Sequence, residues 1–186
     1  MDFNKIIKTR TSIRDFSSKK LDYEKVIDAI ESANLAPSPG NLSILKYIII
    51  DNPETIQKIA QACQQKFITK AQYIVAICSD SKQTRIMFDT RTEKYIKQHS
   101  GAAIENFLLK ITDLGLASCW VGAFSDITLK RILKIPDEIE IEAILPIAHK
   151  SKVKTKQKPK SNLNNLIYFD VWKNKEKEKP KVISGH

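Results

Sequence analysis

Residues 94–114 read KYIKQHSGAAIENFLLKITDL, and residues 115–124 continue as GLASCWVGAF. In the first run Ile104, Leu108, Ile111 and Leu114 recur at helical spacing and form one apolar stripe, which predicts a long helix from near Lys94 to Leu114. Gly115, free to take a positive φ, stands where such a helix ends. Ala117 to Val121 then reads as a short strand leading into Gly122. A long amphipathic helix that turns at a glycine into a buried strand predicts a helix laid on a sheet.

Working outward, the same alternation continues on both sides. Residues 3–8 suit a short helix, whereas Arg10-Thr11-Ser12-Ile13-Arg14-Asp15-Phe16 breaks helical periodicity and is expected to run extended. Asp22 is placed as an N-cap, and Val26, Ile30 and Ala33 follow at helical spacing until Ala36-Pro37-Ser38-Pro39-Gly40-Asn41, a loop rich in turn chemistry. Tyr47 to Ile50 is a buried-strand candidate; Pro53 opens a helix carrying Ile56, Ile59 and Cys63; Tyr73 to Cys78 reads as a second buried strand. Beyond the central run, Asp126 caps a small helix through Leu133, and Glu140 to Ala148 is a third main strand. Short strands with helices between them predict an α+β or α/β layered domain, one sheet covered by helices.

The 186 residues, 42% of them apolar, suffice for one domain with a real core. No uncharged apolar run reaches the roughly 18 residues a membrane span needs, and the start, Met1-Asp2-Phe3-Asn4-Lys5, lacks the apolar stretch of a secretory signal. A cytoplasmic protein without a membrane partner is expected. Cys63, Cys78 and Cys119 lie far apart among apolar neighbours and read as buried free thiols. The formal net charge of +10 favours anionic partners, and much of it lies in the last 40 residues. There Lys150, Lys152, Lys154, Lys156, Lys158 and Lys160 alternate with other residues before a mixed-charge end.

Two stretches carry candidate chemistry. In an extended segment Arg10, Ser12 and Arg14 fall on one side, and two guanidinium groups with a hydroxyl suit a phosphate; a solvated polar edge is the alternative reading. The Pro37-Ser38-Pro39-Gly40-Asn41 loop could bring backbone amides and the Ser38 and Asn41 side chains to a planar ligand, or serve simply as a helix-to-strand turn. The alternating lysines suit a solvated tail, with those nearest Pro159 able to close a phosphate site begun by Arg10 and Arg14. His99 and His149 have no ligand-spaced companions, and no nucleophile–base–acid series is visible, so neither a metal nor a hydrolytic triad is expected.

Taken in order, Arg10 to Phe16, Ala36 to Leu42, Gly101 to Leu109 and Leu114 to Phe124 resemble the four signature segments of the nitroreductase family, and the resemblance covers nearly the whole chain from Ile6 to Trp172. It implies an α+β layered fold with a central, mostly antiparallel sheet covered by helices, as a single FMN-binding domain over residues 1–172 followed by a charged tail over 173–186. It implies an intertwined homodimer with FMN at the interface. Carried onto matching positions, Arg10, Ser12 and Lys160, with Lys158, would hold the phosphate, and Thr11 would be a further flavin-binding position. Arg14 would approach the pyrimidine edge of the flavin, where negative charge accumulates on reduction. Pro37, Ser38, Pro39 and Asn41 would come from the partner chain against the ring, Val121 and Gly122 would lie along its other side, and Gln65 is a weaker ribityl or phosphate candidate.

The implied reaction is ping-pong: hydride passes from NADH or NADPH through flavin N5 to an acceptor such as a nitroaromatic or quinone, with the flavin carrying the chemistry and no separate catalytic residue. Three departures from the family pattern stand out: Ala148 where glycine is frequent, His99 where an acid is common, and lysines for the usual C-terminal arginine. The segment from Ile68 to Gly101, which often shapes the family's substrate pocket, is short. Two other readings compete. One is a specialised flavin enzyme of the same fold, such as a reductive dehalogenase or a flavin-fragmenting enzyme. The other, from a different class, is a basic nucleic-acid-binding protein using the lysine-rich tail, although that tail lacks interleaved aromatics.

Overall fold

The structure is a computed structural model that describes residues 2–151 and 160–177. The chain divides into two compact units, residues 1–155 and 156–186.

In the first unit the strands are β1 (Phe16–Ser17), β2 (Leu45–Ile50), β3 (Tyr73–Asp80), β4 (Leu116–Ser118) and β5 (Ile139–Lys150). They form one sheet in the order β1-β5-β3-β2, with β4 also paired to β5, and each pairing is antiparallel. The expected α+β sheet is therefore present, with β5 as its spine. Period-two alternation sorts the side chains of these strands. Ile74, Ala76 and Cys78 of β3 and Ile144 and Ala148 of β5 face one core layer, while Val75, Ile77, Ala143, Leu145 and Ile147 face the other.

Helices close both layers. The first is covered by α3 (Pro53–Ala62) and α6 (Asp126–Leu133), through Ile56, Ile59, Ala60 and Leu129. The second is covered by α2 (Glu24–Asn34) and α5 (Thr92–Asp113), through Val26, Ala29, Ala33, Ile104 and Phe107. At 22 residues α5 is about 33 Å long, at roughly 1.5 Å per residue, and packs against α2 and against β4 and β5. Helix starts follow capping chemistry: the Asn52 side chain accepts from Thr55 N at 2.9 Å, and Pro53 opens α3.

Boundaries differ from expectation where two caps compete. Ser125, not Asp126, caps α6, its hydroxyl accepting from Thr128 N at 3.4 Å. Asp22 accepts from Glu24 N at 3.2 Å, one position ahead of the N-cap residue Tyr23. Two further differences concern helices: α1 (Phe3–Thr9) runs one residue past its expected end, and a helix that was not anticipated, α4 (Lys82–Phe88), follows β3. The exposure of Ile86 and Met87 explains the second, because α4 offers no buried stripe for periodicity to detect.

The ladder between β3 and β5 is irregular at one point. The register between β3 and β5 shifts between Ile77, paired with Ala143, and Cys78, paired with Ile141, so Glu142 is an extra residue in the ladder. Its carboxylate accepts from Ser79 Oγ at 2.7 Å and pairs with Lys97 Nζ of α5 at 2.9 Å.

In the second unit, a short 3-10 turn (Leu163–Asn165) precedes Tyr168 and Trp172, whose rings lie 4.8 Å apart. Lys175 Nζ sits 4.1 Å over the Tyr168 ring and donates to the carbonyls of Asn164 at 2.6 Å and Ile167 at 3.0 Å.

Candidate active site

The segment from Arg10 to Arg14 does run extended, between the end of α1 and β1. Its backbone is tied to β4 by Ile13 N donating to Ser118 O at 2.9 Å, and Ile13 is buried in the first core layer. With Ile13 turned inward, alternation turns Ser12 and Arg14 outward, and both are exposed. They converge on Cys119, just beyond β4. Burial pushes the Cys119 thiol pKa up, while the positive charge of Arg14 and a hydrogen bond with the Ser12 side chain pull it back. Ser12, Arg14 and the start of the Cys119–Gly122 stretch thus share one neighbourhood.

Arg10, at the C-terminal end of α1, reaches α5 through Nε, 3.2 Å from Glu105 Oε1. Arg10, Thr11 and Lys150 line a cavity of about 120 Å³, and behind it the buried Ser118 hydroxyl has no hydrogen-bond partner. That volume has room for a small group such as a tetrahedral oxyanion and is too small for a fused ring system.

Val121 and Gly122 lie on the stretch that leaves β4. Val121 is buried and bridges to Ile144 of β5, with N–O distances of 3.1 and 3.0 Å in the two directions. Gly122 is exposed, and the nearest atom to a Cβ built on it would be the Trp120 ring nitrogen at 3.9 Å, so its backbone is open to a flat ligand. Beside Gly122, a cavity of about 430 Å³ is bordered by Trp120, Phe124, Lys97, Ser100 and Glu142.

The Pro37–Asn41 loop is held elsewhere. Gly40 and Asn41 both adopt positive φ, 58° and 56°. Gly40 packs on α4 so closely that a Cβ there would stand 2.6 Å from Met87 Sδ. His99 of α5, which has no ligand-spaced companion in the sequence, binds Pro37 O through Nδ1 at 2.8 Å. Among the described residues no hydrogen bond or ion pair joins this loop to Arg10–Arg14. Gln65 is half-buried at the turn after α3, its N–H donating to Ala60 O at 3.0 Å, and it lines neither cavity described above. Lys160 is exposed in the second unit, and Lys158 lies outside the described residues. Sequence reasoning passed over Lys97 and Glu142; the signal present was a lone acid inside the apolar run from Ile141 to Ala148.

Among the described residues no group of three or more His, Cys, Asp or Glu side chains could hold a metal ion, and no helix is long and apolar enough to cross a membrane.

The model of the Nitroreductase family matches residues 7–149, most of the chain, from within α1 to near the end of β5. The chain belongs to the nitroreductase family. It is 26% identical over 174 residues to a protein of Archaeoglobus fulgidus named as an NADH dehydrogenase/NAD(P)H nitroreductase, an alignment covering 90% of this chain and 97% of that one. A nitroreductase family protein from Clostridium novyi NT superimposes with a TM-score of 0.75 at 26% identity, covering 94% and 96% of the two chains. An FMN-dependent nitroreductase from Clostridium difficile superimposes with a TM-score of 0.76 at 21% identity, covering 90% and 98%. Membership makes this nitroreductase-family chain an oxidoreductase.

The residues present fit FMN on three counts. Arg10, Thr11 and Lys150 surround a space of oxyanion size with a partnerless hydroxyl behind it. Arg14 exerts a positive field at Cys119, three residues before Gly122. The backbone at Gly122 is uncovered, as a flat ring requires.

Proposed function

We propose that the chain is an FMN-dependent oxidoreductase that takes reducing equivalents from NADH or NADPH and delivers them to a small acceptor, such as a nitroaromatic or a quinone, by a ping-pong mechanism. The observation that carries this reading is the match of the Nitroreductase family to residues 7–149, together with the cavity that Arg10, Thr11 and Lys150 line beside the partnerless Ser118 hydroxyl. FMN, when bound, supplies hydride transfer between nicotinamide and acceptor through its N5.

The protein's own part is binding, orientation and electrostatics. Arg10, Thr11 and Ser12 hold the phosphate end, joined by Lys160 and Lys158. Arginine offers forked donors, whereas lysine acts as a point charge, so a site closed by lysines has less fixed geometry than one closed by arginine. Arg14 places its positive charge where negative charge grows on two-electron reduction, a preorganised stabilisation that needs no proton transfer. Val121 and Gly122 lie along one side of the ring. Pro37, Ser38, Pro39 and Asn41 reach it from a second copy of the chain in a homodimer, which accounts for their separation from Arg10–Arg14 within one chain. Gln65 stands at the periphery as a ribityl contact. Residues 1–172 act as the flavin-binding domain, residues 173–186 as a charged tail, and the enzyme works in the cytoplasm.

The test is an absorption spectrum of the purified protein after FMN has been added and the excess removed, followed by anaerobic NADH or NADPH. Retained flavin bands that bleach are the expected result. Retained bands that do not bleach favour the specialised chemistries of the same fold, reductive dehalogenation or flavin fragmentation. A colourless protein with salt-sensitive DNA binding favours the nucleic-acid reading and ends this one.

A further inference from the structure

Around the Pro37–Asn41 loop most hydrogen bonds are short-range. Ala36 N donates to Ala33 O, Asn41 N to Ser38 O at 3.3 Å, and Leu42 N to Pro39 O at 3.2 Å. Pro37 and Pro39 have no N–H to give, and two successive residues sit at positive φ. Such a loop has few ways of fixing its own shape, and the Pro37 carbonyl is held from outside. Its partner is His99, a residue 62 positions away on α5 and only 7% exposed, through Nδ1 at 2.8 Å. A carbonyl only accepts, so Nδ1 carries the proton in this contact. One helix turn-pair further along, Asn106 Nδ2 donates to Ser32 O at 3.3 Å, so α5 holds both the end of α2 and the loop that follows it.

We propose that His99 is a positioning residue for the flavin: its Nδ1–H fixes the Pro37 carbonyl, and thereby holds the Pro37–Asn41 loop in the shape that packs against the ring. The inference rests on the flavin reading above. An acid, common at this position by resemblance to the family, would turn an ionised oxygen on the Pro37 carbonyl; histidine reverses the polarity of the contact and makes the backbone oxygen a ligand.

The experiment uses the full-length chain and two variants of equal shape. His99→Asn sets an amide donor where Nδ1 stands, whereas His99→Asp sets only acceptors there. FMN dissociation constants from fluorescence quenching and the positions of the visible flavin bands are read beside the melting temperature of the flavin-free proteins. Asn should bind FMN within about twofold of the parent, and Asp about tenfold more weakly with displaced bands, a change of about 1.4 kcal/mol. Should Asp fail to fold, His99→Gln, whose amide reaches the Nε2 position instead, replaces it with the same expectation. Parent-like FMN binding by both variants overturns the proposal, as does a lowered melting temperature with an unchanged dissociation constant. A parent protein that retains no FMN fails earlier, and identifies the flavin reading as the error.

Discussion

Two stretches of similar length, Arg10–Arg14 and Pro37–Asn41, are held in opposite ways. The first is fixed by backbone and core: Ile13 donates its N–H to Ser118 O and buries its side chain, and β1 pairs with β5 immediately afterwards. Its charged side chains are left over for a ligand. The second has no strand partner; it is shaped by two left-handed residues, a glycine lodged on Met87 and one imidazole. In the first stretch folding and ligand chemistry reside in different residues, whereas in the second they share them. Substitutions should separate the two properties in one place and not in the other.

The largest effect is expected where the first stretch is anchored. Ile13→Ala removes a buried side chain from the core and should lower stability by about 3 kcal/mol, the middle of the range for such truncations. Chemical denaturation checks it; a change below about 1 kcal/mol would show that the segment is held by its backbone alone.

Arg10→Ala should do the reverse. The Arg10–Glu105 pair is partly exposed, so its loss should alter stability by no more than about 1 kcal/mol. A charge-assisted contact to phosphate is stronger, and its loss should weaken FMN binding by about 2 kcal/mol, near thirtyfold. Titration of the variant beside its melting curve tests both halves, and a variant that loses stability but not affinity would abolish the contrast between the two stretches.

In the loop the two properties should fall together. Gly40→Ala demands a positive φ of an L-residue and moves Met87, an exposed and flexible neighbour that can yield. The backbone penalty of about 1–2 kcal/mol should then dominate, with FMN affinity reduced alongside stability. If Met87→Ala restored both in the double variant, the steric contact would be the larger part.

This contrast also separates what was legible in the sequence from what was not. The strands Tyr73–Cys78 and Glu140–Ala148 were readable because long apolar runs leave burial as their only outcome, and α5 because its stripe and Gly115 agree. The extended run of Arg10–Arg14 followed from its broken helical period, but period two did not foretell which side chains border the cavity there: Arg10 and Thr11 line it, whereas Ser12 and Arg14 do not. Neither the His99–Pro37 contact nor the placement of Glu142 could follow from spacing. The first joins residues 62 apart through a side chain, and the second depends on a register shift that moves one residue out of the alternation of β5. Helix α4 was hidden because its apolar residues face outward.

The smallest expected effect concerns the wall that Arg14 faces. Burial pushes the thiols of Cys63 and Cys78 up to about 11 from an ordinary value near 9, with no nearby cation outweighing it. Cys119 is pushed in the same direction but is partly restrained by Arg14 and Ser12. A thiol raised in the folded state keeps its proton where the unfolded chain loses it. Its contribution to stability is therefore complete below pH 9 and is lost as the pH climbs from there toward the folded value. Melting temperatures between pH 7 and pH 10.5 should decline, and the decline should be shallower in Cys78→Ala than in the parent. Cys119→Ala should flatten it less. Arg14→Ala should steepen it, because removing the cation raises the Cys119 thiol further. Equal slopes in the parent and Arg14→Ala would mean that the guanidinium exerts no effective field at Cys119, and would weaken the case that it faces the stretch leading to Gly122.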